Sequence, residues 1–183
     1  MQVPFQIPIQ NWKRTSTMVS IEADGEEFDH IEAIDISTIT SSDSILVESL
    51  SDGATEKESL HTGRMGEEMM YKYLLKQHRE CPYPVTIKWL NQSQESQLPY
   101  DIALTKNGRT QYIEVKSTRT PNQHIFPLSI NQIEFLIQQK ENYFIYRVYT
   151  DEGKFVVLDN IRWRLISKEQ LACFLQIIPK SSD

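Results

Sequence analysis

The spacing of apolar and polar residues predicts helices and strands over the second two thirds of the chain. From residue 62 to about Gln77, apolar side chains recur every three to four positions, which is typical of an amphipathic helix with Thr62 as its N-cap. Further helices are predicted from the Ser129 cap to about Lys140 and from Ser167 to about Ile177. Alternating or β-branched runs predict strands over residues 85–90, 100–106, 110–117, 143–149 and 154–158.

The order of these elements indicates the fold class. The succession α-β-β-β-α-β, with additions at the C-terminal side, predicts an α/β (α+β) fold with a mixed central sheet flanked by helices. Asn107-Gly108 between two alternating runs predicts a hairpin with a two-residue turn. Four aromatic residues at strand spacing are expected in the core: Trp89, Tyr143, Phe144 and Tyr146.

Charge divides the chain into three parts. The total of -6 is made of -9 in residues 1–59, +3 in residues 60–150 and 0 in residues 151–183. Acidity confined to the first part does not exclude a nucleic-acid partner for the rest. We predict a largely disordered, Ser/Thr-rich acidic segment over 1–59, a core domain over 60–150, and a C-terminal extension over 151–183 packed on that core.

Several other sequence features limit the class of protein. Residues 45–48 within the acidic segment are β-prone, and they are either solvated linker or a short peptide that adds a strand to a protein partner. No apolar run reaches the roughly 18 residues that span a bilayer, so no membrane partner is expected and the protein is predicted to be soluble and intracellular, nuclear or cytoplasmic. Cys81 and Cys173 lack zinc-ligand spacing and are expected to be inert thiols.

The predicted hairpin brings three ionisable residues together. With a two-residue turn, Asp101 stands opposite Glu114, and Lys116 shares the face of Glu114 because side chains alternate along a strand. Two carboxylates directly opposite each other on adjacent strands repel and destabilise the sheet, so a compensating cation is expected beside them. Oxygen ligands suit Mg²⁺ or Mn²⁺, and Lys116 beside such a cation can orient or deprotonate water.

A simpler interpretation of the same residues stays open at this point. Asp101, Glu114 and Lys116 also fit an exposed polar face with a diagonal Glu-Lys pair, worth a few tenths of a kcal/mol. The short Asp…Glu-x-Lys pattern does not decide between the two interpretations, so the surrounding sequence has to.

Short sequence motifs around these residues resemble a known family over roughly residues 60–150. In order they are Gly63-x-x-Gly66-Glu67, Leu98-Pro99-Tyr100-Asp101, Tyr112-Ile113-Glu114-Val115-Lys116-Ser117, Leu128-Ser129, Asn142-Tyr143 and Ile145-Tyr146-Arg147-Val148. This succession resembles the protein NO VEIN C-terminal domain family, which in turn resembles the PD-(D/E)XK restriction-endonuclease-like superfamily.

That resemblance implies roles for particular residues. Asp101 and Glu114 would bind Mg²⁺ or Mn²⁺, Lys116 would be the catalytic lysine, and Glu67 would be a helix-borne acid directed at the metal. Ser129 and Gln132 would support the site, although family members often carry an acid at the position of Gln132. Glu68, one residue on from Glu67, is expected to form a surface ion pair with Lys72.

Further basic residues outside this set are candidates for nucleic-acid contacts. Lys106, Arg109 and Arg119 are expected to flank the site and contact phosphate, and His124 is expected to be a bystander. Residues 162–164, Arg-Trp-Arg, form a small basic-aromatic cluster of a kind that can follow a nucleic-acid backbone.

Two functions follow from the resemblance. The first is a Mg²⁺-dependent nuclease acting on DNA or RNA, as a monomer or a homodimer. The alternative is a catalytically silent nuclease-like domain that binds nucleic acid or protein as a scaffold, which the small +3 charge and Gln132 favour. In either case the chain can be the C-terminal part of a larger protein.

Overall fold

The structure is a computed structural model that describes residues 31–39, 55–120, 123–167 and 171–173. The strands are β1 (Glu32–Ile34), β2 (Val85–Trp89), β3 (Ile102–Lys106), β4 (Arg109–Thr118), β5 (Tyr143–Tyr149) and β6 (Lys154–Leu158). The helices are α1 (Glu56–Gln77), α2 (Ile130–Gln139) and α3 (Ile161–Ser167). Short 3₁₀ turns cover Ile36–Thr38, Lys140–Asn142 and Thr150–Glu152.

Within these residues the six strands form one mixed sheet in the order β1-β6-β5-β4-β3-β2. The pairs β1–β6 and β4–β5 are parallel, and the other three neighbouring pairs are antiparallel. The prediction of an α+β fold with a mixed sheet and flanking helices is therefore confirmed. Among the described residues, no helix combines the length and the apolar character that crossing a membrane requires.

Apolar side chains pack on both faces of the sheet. The first face packs against α1, whose Met69, Met70 and Leu74 are buried against Ile102 and Ile113 of the hairpin. The second face packs against α2 and α3 through a cluster that contains Leu136, Tyr143 and Ile161. The expectation that Trp89, Tyr143, Phe144 and Tyr146 belong to the core is confirmed.

The structure corrects the predicted start of the first helix. The N-cap is Thr55 and not Thr62: Thr55 accepts from the backbone N–H of Glu58, while the Glu58 carboxylate accepts from Thr55 N–H at 2.7 Å. This reciprocal capping box stabilises a first turn whose side chains are exposed. Because the side chains of that turn do not pack on the core, its sequence lacks the apolar periodicity that predicts a helix.

The ends of the chain also differ from expectation. Residues 31–39 fall in the segment predicted to be linker, yet they form β1 and place Ile31 in the core, while the rest of that segment, including residues 45–48, lies outside the described residues. Strand β6 of the predicted extension lies inside the sheet, between β1 and β5. The last described helix is α3, at Ile161–Ser167; residues 171–173 have no regular structure, and the remainder of the helix predicted to Ile177 lies outside the described residues.

Candidate active site

The β3–β4 hairpin determines which side chains meet at the candidate site. Its register pairs Lys106 with Arg109 and Ile102 with Ile113, as a two-residue turn requires. Both turn residues have positive φ, 51° at Asn107 and 71° at Gly108, which is the backbone of a type I′ turn. The predicted turn is confirmed. The paired register ends at Ile102 and Ile113, and Asp101, one residue before β3, donates its backbone N–H to the Ile113 carbonyl at 2.9 Å, which brings it beside Glu114 without making the two a register pair.

Asp101 is a buried carboxylate held by two N–H donors. Nδ2 of Asn91 donates to Oδ1 at 2.8 Å, and the backbone N–H of Val115 donates to Oδ2 at 2.7 Å. The backbone N–H of Leu90 also donates to the Asp101 carbonyl at 2.8 Å. The loop after β2, through Asn91, and β4, through Val115, together fix this side chain.

Glu114 is buried with its two oxygens in different surroundings. Oε1 accepts from Gln132 Nε2 at 2.6 Å and from Lys116 Nζ at 2.9 Å. Within the part of the chain that the structure describes, Oε2 is buried and has no hydrogen-bond partner. A buried carboxylate oxygen without a donor is costly, so Oε2 is an unsatisfied acceptor at the centre of the site.

The electrostatics of the two carboxyl groups reflect their burial and their proximity. Burial, reinforced by the negative charges of Glu114 and Glu67, raises the pKa of Asp101 to about 8. Burial also raises the pKa of Glu114, against the opposing effect of Lys116. Protonation of one carboxyl group or binding of a cation would therefore stabilise Asp101 and Glu114 in their buried positions.

Gln132 links helix α2 to the site. Its Oε1 accepts from Ser129 N–H at 2.9 Å and from Lys116 Nζ at 3.2 Å, while its Nε2 donates to Glu114. Ser129 in turn accepts from the Gln132 backbone N–H, which completes a capping box. The capping box thus orients the amide that contacts both Lys116 and Glu114.

Glu67 lies near the pair but has a different immediate partner. Its Oε2 accepts from Trp89 Nε1 at 2.7 Å, and burial raises its pKa. Arg64 lies 4.3 Å from the centre of the Trp89 ring. The neighbouring Glu68 forms the predicted ion pair with Lys72, at 2.7 Å, so that prediction is confirmed.

The described acidic residues near Asp101 and Glu114 do not form a complete metal-binding cluster. Among the described residues, no group of three or more His, Cys, Asp or Glu side chains is arranged to hold a metal ion. The fit of a cation therefore rests on Asp101 and Glu114 with the unsatisfied Oε2, and Mg²⁺ commonly takes only one or two carboxylates from a protein. Glu67 influences the pair through its charge.

The basic residues expected to flank the site are not brought to it. Lys106 and Arg109 lie at the turn, five positions along the strands from Asp101 and Glu114. They alternate in step with Leu104 and Ile113, which pack in the core under α1, so their side chains point to the α1 face and not to the face of Glu114. Arg119 forms an exposed ion pair with Asp151 at 3.1 Å.

His124 and Arg164, two further residues considered in the sequence analysis, contact other side chains of the chain. His124 Nδ1 and the Tyr149 hydroxyl are 2.7 Å apart, and Arg164 binds Asp159 at 2.7 Å. Trp163 is 57% exposed on α3.

Two buried residues contribute to the site without having been predicted. Asn91 holds Asp101 and also accepts from the backbone N–H of Ser96 at 3.0 Å. Arg147 of β5 donates to the carbonyls of Lys116 and Ser117, each at 3.2 Å, and so fixes the backbone that carries the lysine. The only sequence signal for Asn91 is its place directly after a strand, and the signal for Arg147 is a cation inside an otherwise apolar strand.

Comparison with known proteins shows the family to which the chain is similar. The family described as "Protein NO VEIN, C-terminal" matches residues 66–159. Two proteins of Arabidopsis thaliana, "Protein NO VEIN" and "Protein NO VEIN-LIKE", are each 32% identical over 92 residues, or 50% of this chain. The matched stretch is 3% of the first protein and 14% of the second, so this chain spans a small part of either relative. No solved structure matches the chain.

Proposed function

The chain belongs to the family of the NO VEIN C-terminal domain, and from that premise we propose that it is a metal-dependent phosphodiesterase acting on nucleic acid. The observation that carries the proposal is the buried Glu114 Oε2, which has no donor among the described residues and lies beside a second buried carboxylate, Asp101. A divalent cation held by Asp101 and Glu114 would satisfy that oxygen and neutralise the repulsion between the two groups. The resemblance to PD-(D/E)XK nucleases points to the same ligands.

Asp101 and Glu114 would hold Mg²⁺ or Mn²⁺ in this function. When bound, the cation polarises the phosphate and makes nearby water more acidic. The protein's own contribution is positional: Asn91 and the Val115 N–H hold Asp101, while Gln132 and Lys116 hold one oxygen of Glu114 and leave the other available.

Lys116 supplies the positive charge that the chain itself brings to the reacting phosphate. Its ammonium is held between Glu114 Oε1 and Gln132 Oε1, and its backbone is fixed by Arg147. An ammonium group in this place stabilises negative charge that develops on phosphate oxygens and orients the attacking water.

The test combines cation binding with cleavage. Calorimetric titration with Mn²⁺ is followed by incubation with single-stranded, double-stranded and branched DNA and RNA. We expect the wild type to bind Mn²⁺ and to cleave at least one substrate. Lys116→Ala should abolish cleavage and keep Mn²⁺ binding, because lysine is not a ligand, whereas Asp101→Asn should lose both.

Lys72→Ala is the matched control, since it removes a lysine that pairs with Glu68 away from the carboxylates. A wild-type protein that binds Mn²⁺ and cleaves none of the substrates would overturn the nuclease and leave a binding or scaffolding domain. Absence of Mn²⁺ binding at millimolar concentration would overturn the cation site itself.

A further inference from the structure

We propose that the sheet surface beside the carboxylates binds the phosphate backbone of the nucleic acid. This surface, the open face, consists of the side chains of Thr86 and Lys88 on β2, Ala103 and Thr105 on β3, and Thr110 on β4. The inference rests on the proposed function and assigns its substrate-binding residues.

Strand alternation determines which side chains form the open face. Val85, Ile87 and Trp89 pack against the core on the α1 side. Thr86 and Lys88 therefore point to the opposite side, where both are exposed. The same alternation assigns Ala103 and Thr105 to this side, because Ile102 and Leu104 are buried in the core under α1.

The register places the open face next to the candidate active site. Lys88 pairs with Ala103, Ala103 pairs with Tyr112, and Tyr112 lies two residues before Glu114 on the same face of β4. Two residues correspond to about 7 Å along a strand, and adjacent strands are about 4.8 Å apart. Lys116 lies two residues beyond Glu114 in the other direction, so the two lysines flank the carboxylate pair.

The composition of the open face indicates the kind of partner. Among the described residues, helix α2 packs over β5 and, through Phe135, over Tyr112 of β4, and Thr86 and Lys88 of β2 stay exposed. Three threonine hydroxyls, one small apolar side chain and a lysine offer hydrogen bonds and positive charge but little apolar area. The Thr105 and Thr110 hydroxyls are 2.9 Å apart, and the described part of the chain gives Lys88 no ion pair or hydrogen bond. Such a surface suits phosphate and sugar oxygens, to which most protein–DNA hydrogen bonds are made.

Lys88→Glu tests the proposal, with Arg109→Glu as the matched control. Both residues are exposed cations, but Arg109 lies at the turn on the α1 face. Fluorescence anisotropy with labelled 20-nucleotide DNA and RNA, in EDTA and over a range of KCl concentrations, measures binding without cation or cleavage. Cleavage in Mn²⁺ is measured separately on the same proteins.

We expect Lys88→Glu to weaken binding by about fivefold to tenfold near 0.1 M salt and to reduce the slope of log K against log salt by about 0.7–0.9, since one phosphate contact is lost. Arg109→Glu should stay within about twofold of the wild type. Equal effects of the two variants, or no effect of either, would overturn the open face while wild-type cleavage in Mn²⁺ still supports the proposed function.

Two further outcomes are informative. Wild-type protein that neither binds nor cleaves nucleic acid would overturn both proposals. Binding of poly-glutamate that competes with nucleic acid and depends equally on Lys88 would assign the open face to acidic polypeptide and would overturn the nucleic-acid assignment.

Discussion

A Cβ atom on Gly66 of α1 would lie 1.8 Å from Ser117 Oγ and 2.8 Å from Ser117 Cβ on β4. The helix and the strand therefore touch through a residue that has no side chain. This close approach brings the turn of α1 that carries Glu67 against the strand that carries Glu114 and Lys116. Gly66 is required by packing, since its backbone is helical.

Gly66→Ala should destabilise the protein by about 1–3 kcal/mol, because the added methyl overpacks a contact that includes backbone-attached Ser117 Cβ. Gly63→Ala is the control: nothing lies within 4 Å of the place that its methyl would take, so the better helix propensity of alanine should stabilise by about 0.5–1 kcal/mol. Urea unfolding of both variants measures the difference. Equal effects would show that the α1–β4 contact is looser than described.

Glu114→Gln should stabilise the metal-free protein at pH 8 by about 1 kcal/mol, since it removes a buried charge that faces a second carboxylate. The amide oxygen can still accept from Gln132. Glu68→Gln is the surface control and should change the free energy of unfolding by less than about 0.5 kcal/mol. Asp101→Asn is a poorer test, because both Asp101 oxygens accept from N–H groups and an amide would set one donor against another.

The pH dependence of stability follows from Asp101, whose pKa rises from 3.8 to about 8 on folding. A carboxyl group with a raised folded pKa contributes its full stability below the unfolded pKa and loses it as pH rises through the folded pKa. In EDTA, the free energy of unfolding should therefore fall between about pH 4 and pH 8, by at least about 1.4 kcal/mol, the equivalent of one pKa unit. Thermal melts across this range measure it, and saturating Mn²⁺ should flatten the profile. A flat profile in EDTA would contradict the described burial of the pair.

Asn91→Ala should cost about 1–3 kcal/mol, because Asp101 Oδ1 loses its donor in a buried place. It should also weaken Mn²⁺ binding in calorimetry, since the carboxylate is then free to rotate. Gln92→Ala, at the exposed neighbouring position, should leave both quantities unchanged within error. Loss of stability with unchanged Mn²⁺ affinity would limit Asn91 to a role in folding.

Local sequence signals were sufficient for much of the fold and for the centre of the site. The bounds of β5 and β6 agree with the prediction, and Asn107-Gly108 correctly predicted the hairpin register from Lys106–Arg109 to Ile102–Ile113, which ends one residue short of Asp101. These elements have strong alternation or a specific turn chemistry. Strand alternation in the same hairpin also places Lys106 on the α1 face. This could have been predicted from the sequence, but Lys106 was expected to flank the site.

The remaining features depend on contacts between distant residues. Strand β1 has three residues and exists through parallel pairing with β6, more than 100 positions away. The role of Asn91 depends on its contact with Asp101, and that of Arg147 on the carbonyls at the end of β4. Hydrophobic periodicity in a short stretch of sequence does not predict contacts between distant residues, so these features become visible only in the folded structure.

Strand β1 also bears on how this domain should be delimited in the laboratory. It lies outside residues 66–159, the stretch shared with the family, yet it covers the edge of β6 with a parallel partner. A truncated protein cut to the family boundaries would present the backbone of β6 as a bare sheet edge, a surface that readily recruits strands from other molecules. Expression boundaries for this domain should therefore begin before Ile31, and poor solubility of shorter versions would reflect a missing strand rather than a faulty fold.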